Sequence, residues 1–150
     1  MEQVIENSLL DVFNTPLEAG LRSLILLNSY HPNFIDFETI VKLDYVIVYS
    51  KDFGGASNLH PSVPNRKGEL IIRRELVREG LNMMKKLGLI DGLYDEKGIH
   101  YSVTGDAEPL LRLMKSEYTQ KLKTNAVWCV DQLEHNGCEY FNRLIMELEF

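Results

Sequence analysis

The stretch LGLIDGLYDEKGIHYSVTGDAEPLL, residues 87–111, constrains the fold more than any other. Two short runs of imperfect apolar–polar alternation, residues 89–94 and 99–103, flank DEKG, whose Gly98 offers the positive φ that a tight hairpin turn uses. A strong helical pattern precedes them, and Gly88 stops it as a C-cap glycine does. Thr104 or Asp106 opens another helix beyond. Helix, two-stranded hairpin and helix in that order read as a winged helix-turn-helix. Such wings often lie against nucleic acid, yet this one sets Asp91, Asp95, Glu96, Asp106 and Glu108 against Lys97 alone. That surface repels phosphates.

The segments before the wing have equally physical signals. FNTPLE offers Thr15 as N-cap, Pro16 at the first helical position and Glu18 three residues after the cap. The helix runs to about Ser29. Leu17, Leu21, Leu24 and Ile25 share one face, Leu27 and Gly20 adjoin it, and only Glu18 and Arg22, an i,i+4 pair, form a polar edge. A helix apolar almost all round is a surrounded helix. Asp36 caps a second one, with Phe37, Ile40, Val41, Ile47 and Val48 on one face. Its tail YVIVYS has strand character, but the helical period spans the whole segment and favours helix. Residues 51–68 form a long loop rich in Gly, Pro, Ser and Asn, and loops of this length are usually functional or disordered. Leu59 and Val63 mark it as one that packs.

The third helix, ELIIRRELVREGLNMMKKLGLI, lines Leu70, Val77, Leu81 and Met84 on one stripe and Ile72, Leu76, Met83 and Leu87 on the next. Gly80 lies in that apolar arc at a cost in helix propensity, which close approach of another helix explains. After the wing, Leu110, Met114, Leu122, Cys129 and Leu133 place the seam of one long helix, adjoined by Tyr118, Ala126 and Trp128. EHNG breaks it, and CEYFNRLIMELEF is a short amphipathic C-terminal helix carrying Tyr140, Phe141, Leu144 and Leu148. The expected fold class is mostly α with a small β-hairpin: a winged helix-turn-helix-like domain with a long C-terminal helix. One domain spans residues 1–150, with the helical core and wing over 12–105 and the C-terminal helices over 106–150.

At 150 residues and 45% hydrophobic content the chain can build a core without a metal or disulfide. Its net charge of -6 does not favour nucleic acid through the overall field. Cys129 and Cys138 fit no zinc spacing, and two reduced thiols are the better reading, with a single disulfide as the alternative. The acidic N-terminus lacks a signal-peptide pattern, and no apolar run approaches the ~20 residues of a membrane span. The expectation is a cytoplasmic protein without membrane contact.

Residues 66–86 hold Arg66, Lys67, Arg73, Arg74, Arg78, Lys85 and Lys86 against Glu69, Glu75 and Glu79. On the helical wheel Arg74, Arg78 and Lys85 share an exposed strip with Asn82 beside it. That strip suits phosphate or an acidic partner, or is simply a solvated face with i,i+4 pairing. Arg73 instead projects into the apolar arc, and Asp44 falls in the middle of the second helix's apolar face. Pairing Asp44 with Arg73 removes the penalty each has alone; the alternative is a drift in helical phase that leaves Arg73 in an exposed first turn. FGG at 53–55 lacks the phosphate-loop pattern. His31, His60, His100 and His135 are scattered, with His60 alone in a suggestive loop, and Asp11, Asp36 and Asp52 lack metal-ligand spacing. No catalytic constellation is readable, so the chain is expected to be no enzyme and to need no cofactor or metal. A winged-helix transcription regulator, dimeric through its last helix, is the alternative that the fold alone leaves open.

The segments VFNTPLEAGLRSLILL, KLDYVIVYSKDFGG, LHPSVPNRKGELIIRRELVREGLNMM, GIHYSV and SEYTQKLKTNAVW, in that order from Val12 to Trp128, resemble the middle components of ABC-three-component systems, of the Lamassu-like kind. The resemblance implies a bacterial accessory subunit in defence against phage or plasmids. Its partners would be an SMC- or Rad50-like ABC ATPase and an effector subunit such as a nuclease, with DNA touched through the complex. In that setting contacts are expected at Phe53, Leu59, His60 and Arg66 of the loop, at Lys67, along Arg74, Arg78 and Lys85, and on the C-terminal helix.

Overall fold

Thr15 starts the first helix by accepting the amide of Glu18 on its hydroxyl at 3.2 Å, with Pro16 in the first turn. In this computed structural model the described residues are 15–60 and 66–149, without the side chains of 66, 67, 138, 141, 144, 145 and 147–149. Residues 1–14 and 61–65, with Asp11, Ser62 and Val63, and the side chains of Arg66, Lys67, Phe141, Leu144 and Leu148 lie outside that description. The order is α1 (Pro16–Ser29), β1 (Ile35–Asp36), α2 (Phe37–Val48), a 3₁₀ turn (Ser50–Phe53), α3 (Arg66–Lys86), β2 (Ile90–Asp95), β3 (Gly98–Val103), α4 (Ala107–Arg112) and α5 (Glu117–Glu149). Among these helices none is long and apolar enough to cross a membrane.

The fold is mostly helical, with a small antiparallel sheet in a winged-helix-like arrangement and a long C-terminal helix. β2 and β3 form the hairpin, from Ile90 opposite Val103 to Asp95 opposite Gly98, and β1 adds a third strand on the far side of β3. Gly88 and Gly98 hold the positive φ values, 76° and 117°, that stop α3 and turn the hairpin. Asp36 caps α2 through the Thr39 amide at 3.1 Å, and residues 45–48 are helical, as the 3.6-residue period requires.

The core lies where α1, α2, α3 and α5 meet. Leu24, Leu26, Leu27, Ile40, Leu43, Ile47, Leu81, Leu122 and Ala126 are closed to solvent there. α1 and α3 cross backbone to backbone. A methyl group on Gly80 would stand 2.4 Å from the Gly20 nitrogen, and one on Gly20 would stand 2.7 Å from the Gly80 carbonyl oxygen. That contact accounts for a glycine inside the α3 arc.

Four expectations are corrected. Glu18 and Arg22 do not form an exposed edge of α1, because Arg22 is fully buried. The last helix is interrupted: α4 ends at Arg112, and α5 starts afresh with Ser116, whose hydroxyl accepts the Thr119 amide at 3.1 Å. Leu17 stands 57% exposed, off the core. So does most of the second α3 stripe, with Ile72 at 60% and Leu87 at 65%, because α1 covers only the Val77–Leu81–Met84 side. At EHNG the backbone does break, since Gly137 sits at φ 74°, ψ 173° between two helical stretches.

Candidate functional site

Charged residues inside the core form one network. Asp44, from the buried face of α2, receives Arg22 Nε at 2.6 Å from α1 and Arg73 Nη1 at 3.2 Å from α3. The chain thus brings together Asp44 and Arg73, and adds Arg22, which the sequence presented as half of a local surface pair. Arg22 Nη1 reaches the Glu18 carboxylate at 2.5 Å, and Arg73 reaches Glu69 at 2.7 Å. Tyr49 donates to Glu69 at 2.5 Å, and Tyr118 donates its hydroxyl to Glu18. α1, α2, α3 and α5 are all held to this cluster.

Charge and burial agree with that geometry. Burial alone would push the Asp44 carboxyl up, but Arg22 and Arg73 outweigh it and hold Asp44 below the ordinary aspartate value. Arg22, despite burial, is raised further by Asp44 and Glu18. Burial, then the hydrogen bond to Glu69, raises the Tyr49 phenol. His60, 3% exposed, sits between Arg73 Nη2 at 3.0 Å and Glu18 Oε1 at 3.4 Å. Arg73 has only protons to give, so His60 Nδ1 accepts and the ring proton resides on Nε2, facing Glu18. Burial lowers the His60 value, in keeping with a neutral ring.

The loop is anchored from within. Asn125 of α5 donates to the carbonyls of Ile47 and Ser57, both at 3.0 Å, and the Leu59 amide bonds the Val48 carbonyl at 2.7 Å. Phe53 is buried, its ring edge-on to Tyr45 with centroids 6.0 Å apart, and Leu59 is half-buried against the core. Phe53 and His60 therefore lie inside the fold.

The basic strip of α3 is engaged within the molecule. Arg74 and Arg78 place their guanidiniums 5.0 Å and 5.2 Å from the centre of the Phe37 ring, and Arg74 also pairs with Glu38. Arg78 stands 3.6 Å from Glu75, and Lys85 lies 5.8 Å from the Tyr94 ring on the wing. These contacts fix the three cations along the α2 start and the hairpin while leaving them at the surface.

On the opposite side of α3 a groove of about 470 Å³ opens between α1, α3 and α4. Leu17, Leu21 and Leu24 form one wall, Met84, Leu87 and Leu89 another, and Leu110 and Met114 close it. Glu18 and Tyr118 are its polar corner, already bonded to each other. Leu17, Leu87 and Leu110 are exposed along the rim, and Leu113 beyond them is 79% exposed. The periodicity places Leu17, Leu87 and Leu110 on apolar helix faces; the signal it lacks is that the faces of α1 and α3 are wider than the helices that cover them.

No curated protein and no solved structure matches the chain. The sequence model of the ABC-three component (ABC-3C) system Middle Component 2 matches residues 12–148, which include every described strand, every helix but for the last residue of α5, and every lining residue of the groove described above. This chain belongs to the Middle Component 2 family of ABC-three-component systems.

Proposed function

We propose that the chain is a non-catalytic accessory subunit that binds an SMC- or Rad50-like ABC ATPase and helps couple it to an effector such as a nuclease. The setting is a cytoplasmic, Lamassu-like defence against phage or plasmids. The observation that carries this reading is the open apolar face of α1, α3 and α4 in a chain of a three-component family. Contiguous exposed leucines on a folded domain favour association with another protein. The strongest buried charges, Arg22, Arg73 and Asp44, are committed to one another and are closed to solvent, which suits a rigid adaptor.

The regulator alternative has weaker support. Its wing would present Asp91, Asp95 and Glu96, all exposed, toward phosphates. Arg74 and Arg78 are drawn onto Phe37 rather than projecting freely. Contact with DNA is therefore assigned to the assembled complex.

Co-expression with the ABC ATPase and effector components of its system tests the reading. The chain is expected to co-elute with the ATPase through size exclusion, and alone to leave duplex DNA unshifted at low salt. Elution apart from both components, together with tight and sequence-selective duplex binding by the isolated chain, would install the regulator reading instead.

A further inference from the structure

We infer that the groove between α1, α3 and α4 seats one amphipathic helix of a partner protein, apolar on its buried face and basic along one edge. This rests on the accessory-subunit reading and adds the surface and the chemistry of what it binds.

The length of the apolar surface argues for an elongated occupant. Leu17 and Leu87 line the groove and stand more than half exposed. From Leu87 the exposed stripe continues along α3 through Met83 and half-buried Leu76 to Ile72. At 100° per residue these four positions fall within an arc of about 60°, and they span roughly 22 Å at 1.5 Å per residue. A compact small molecule would fill the groove and leave the stripe open.

The walls argue for a helix rather than an extended peptide. They are built mainly from side chains of α1, α3 and α4, whose backbone groups are engaged in helices. Among the described residues no strand edge runs along the stripe to offer hydrogen bonds. A segment laid against side chains alone must satisfy its own backbone, which a helix does internally.

Charge sets the flank. Within the groove Glu18 is paired with Arg22 and accepts from Tyr118, so the buried face of the occupant needs no cation. On the solvent side of the stripe the wheel places Glu75 and Glu79, both exposed, with Lys86 as the cation among them. Glu75 stands 3.6 Å from Arg78 and also interacts with Arg74, which leaves Glu79, beside the stripe on the wheel, as the acid with no ion pair among the described residues. Glu79 at the border of the stripe favours a lysine or arginine on the facing edge of the partner.

The test uses the full chain with the ABC ATPase and effector components, each offered in turn. p-Benzoylphenylalanine in place of Met83 is photo-crosslinked, and the joined peptide is mapped by mass spectrometry. Leu17→Asp with Leu87→Asp is compared with Leu93→Asp on the wing, which is also more than half exposed. Expected are a crosslink to a segment whose apolar residues recur every three or four positions beside lysine or arginine, and affinity for that component at least about tenfold weaker in the groove variant. The wing variant binds as the wild type does. Circular dichroism checks the fold of each variant, and Leu17→Ser with Leu87→Ser repeats the comparison if the aspartates disturb it. Unchanged affinity in folded groove variants overturns the groove while leaving the subunit reading standing. A crosslink to a strand-like segment, to residues 1–14 or to a second copy of this chain overturns the occupant. Binding of the wild type to neither component overturns the subunit reading and this inference with it.

Discussion

Arg22 and Asp44 meet at 2.6 Å between α1 and α2, each no more than 1% exposed, and Arg73 approaches the same carboxylate from α3. One aspartate therefore compensates two guanidiniums from two different helices. Asp44→Ala leaves both arginines buried beside an uncharged position, and the expected loss of stability is about 3–5 kcal/mol. Urea denaturation checks it; a variant within about 1 kcal/mol of wild type would mean that Glu18 and Glu69, or water, compensate Arg22 and Arg73 when the carboxylate is gone.

The Gly20–Gly80 crossing makes a second prediction. Alanine at Gly80 improves helix propensity by about 1 kcal/mol. It also drives a methyl group to 2.4 Å from the Gly20 nitrogen and 2.6 Å from the Pro16 carbonyl oxygen, backbone atoms that cannot rotate aside. Gly80→Ala should therefore destabilise, by about 1–3 kcal/mol or more. Gly105→Ala, where nothing lies within 4 Å, should stay within about 0.5 kcal/mol. Thermal melts of the two variants side by side separate packing from propensity.

His60 predicts a response to pH. Burial holds its folded value below the ordinary 6.5, so between those two values the unfolded chain binds more protons than the folded one. Stability from this group is complete above about pH 6.5 and is lost as pH falls toward and through the folded value. Asp44 is lowered from 3.8 and acts in the same direction further into acid. Urea midpoints should fall between about pH 7 and pH 5, and less steeply in His60→Gln. Parallel losses in both proteins would remove His60 as the titrating group.

Arg74 and Arg78 should matter little to folding. Their side chains are 42% and 49% exposed, and the Arg74–Glu38 pair lies in water, so its contribution is at most about 1 kcal/mol. Arg74→Glu with Arg78→Glu should melt near wild type. If it also leaves the proposed ATPase complex, and any DNA binding by that complex, unchanged, the strip has no part in either.

Much of this architecture was legible because its signals are local. Thr15 with Pro16, Asp36, Gly88 and Gly98 each fix a helix end or a turn through their own backbone chemistry, and each does so in the fold. Gly80 and the charges at Asp44 and Arg73 were visible as exceptions within apolar faces. Arg22 was not, because its i,i+4 spacing to Glu18 has the form of an ordinary surface pair. The remaining clue was that a helix apolar almost all round has no wet side on which to put it. β1 was missed for a different reason: two residues carry no period, and Ile35 finds Tyr101 only through the tertiary fold. Periodicity does not separate the exposed leucines of the groove from core, because it reports which side of a helix is apolar and is silent on how much of that side a neighbour covers.

Isothermal titration of the full chain with the ABC ATPase component of its system, at several temperatures and two salt concentrations, tests docking through the leucine face. Docking through the leucine face predicts saturable binding with a negative heat-capacity change, the mark of apolar burial. It also predicts only modest weakening at high salt and loss of the signal in Leu17→Asp with Leu87→Asp. No binding to the ATPase component, or binding that collapses with salt and is indifferent to the two leucines, would contradict the account.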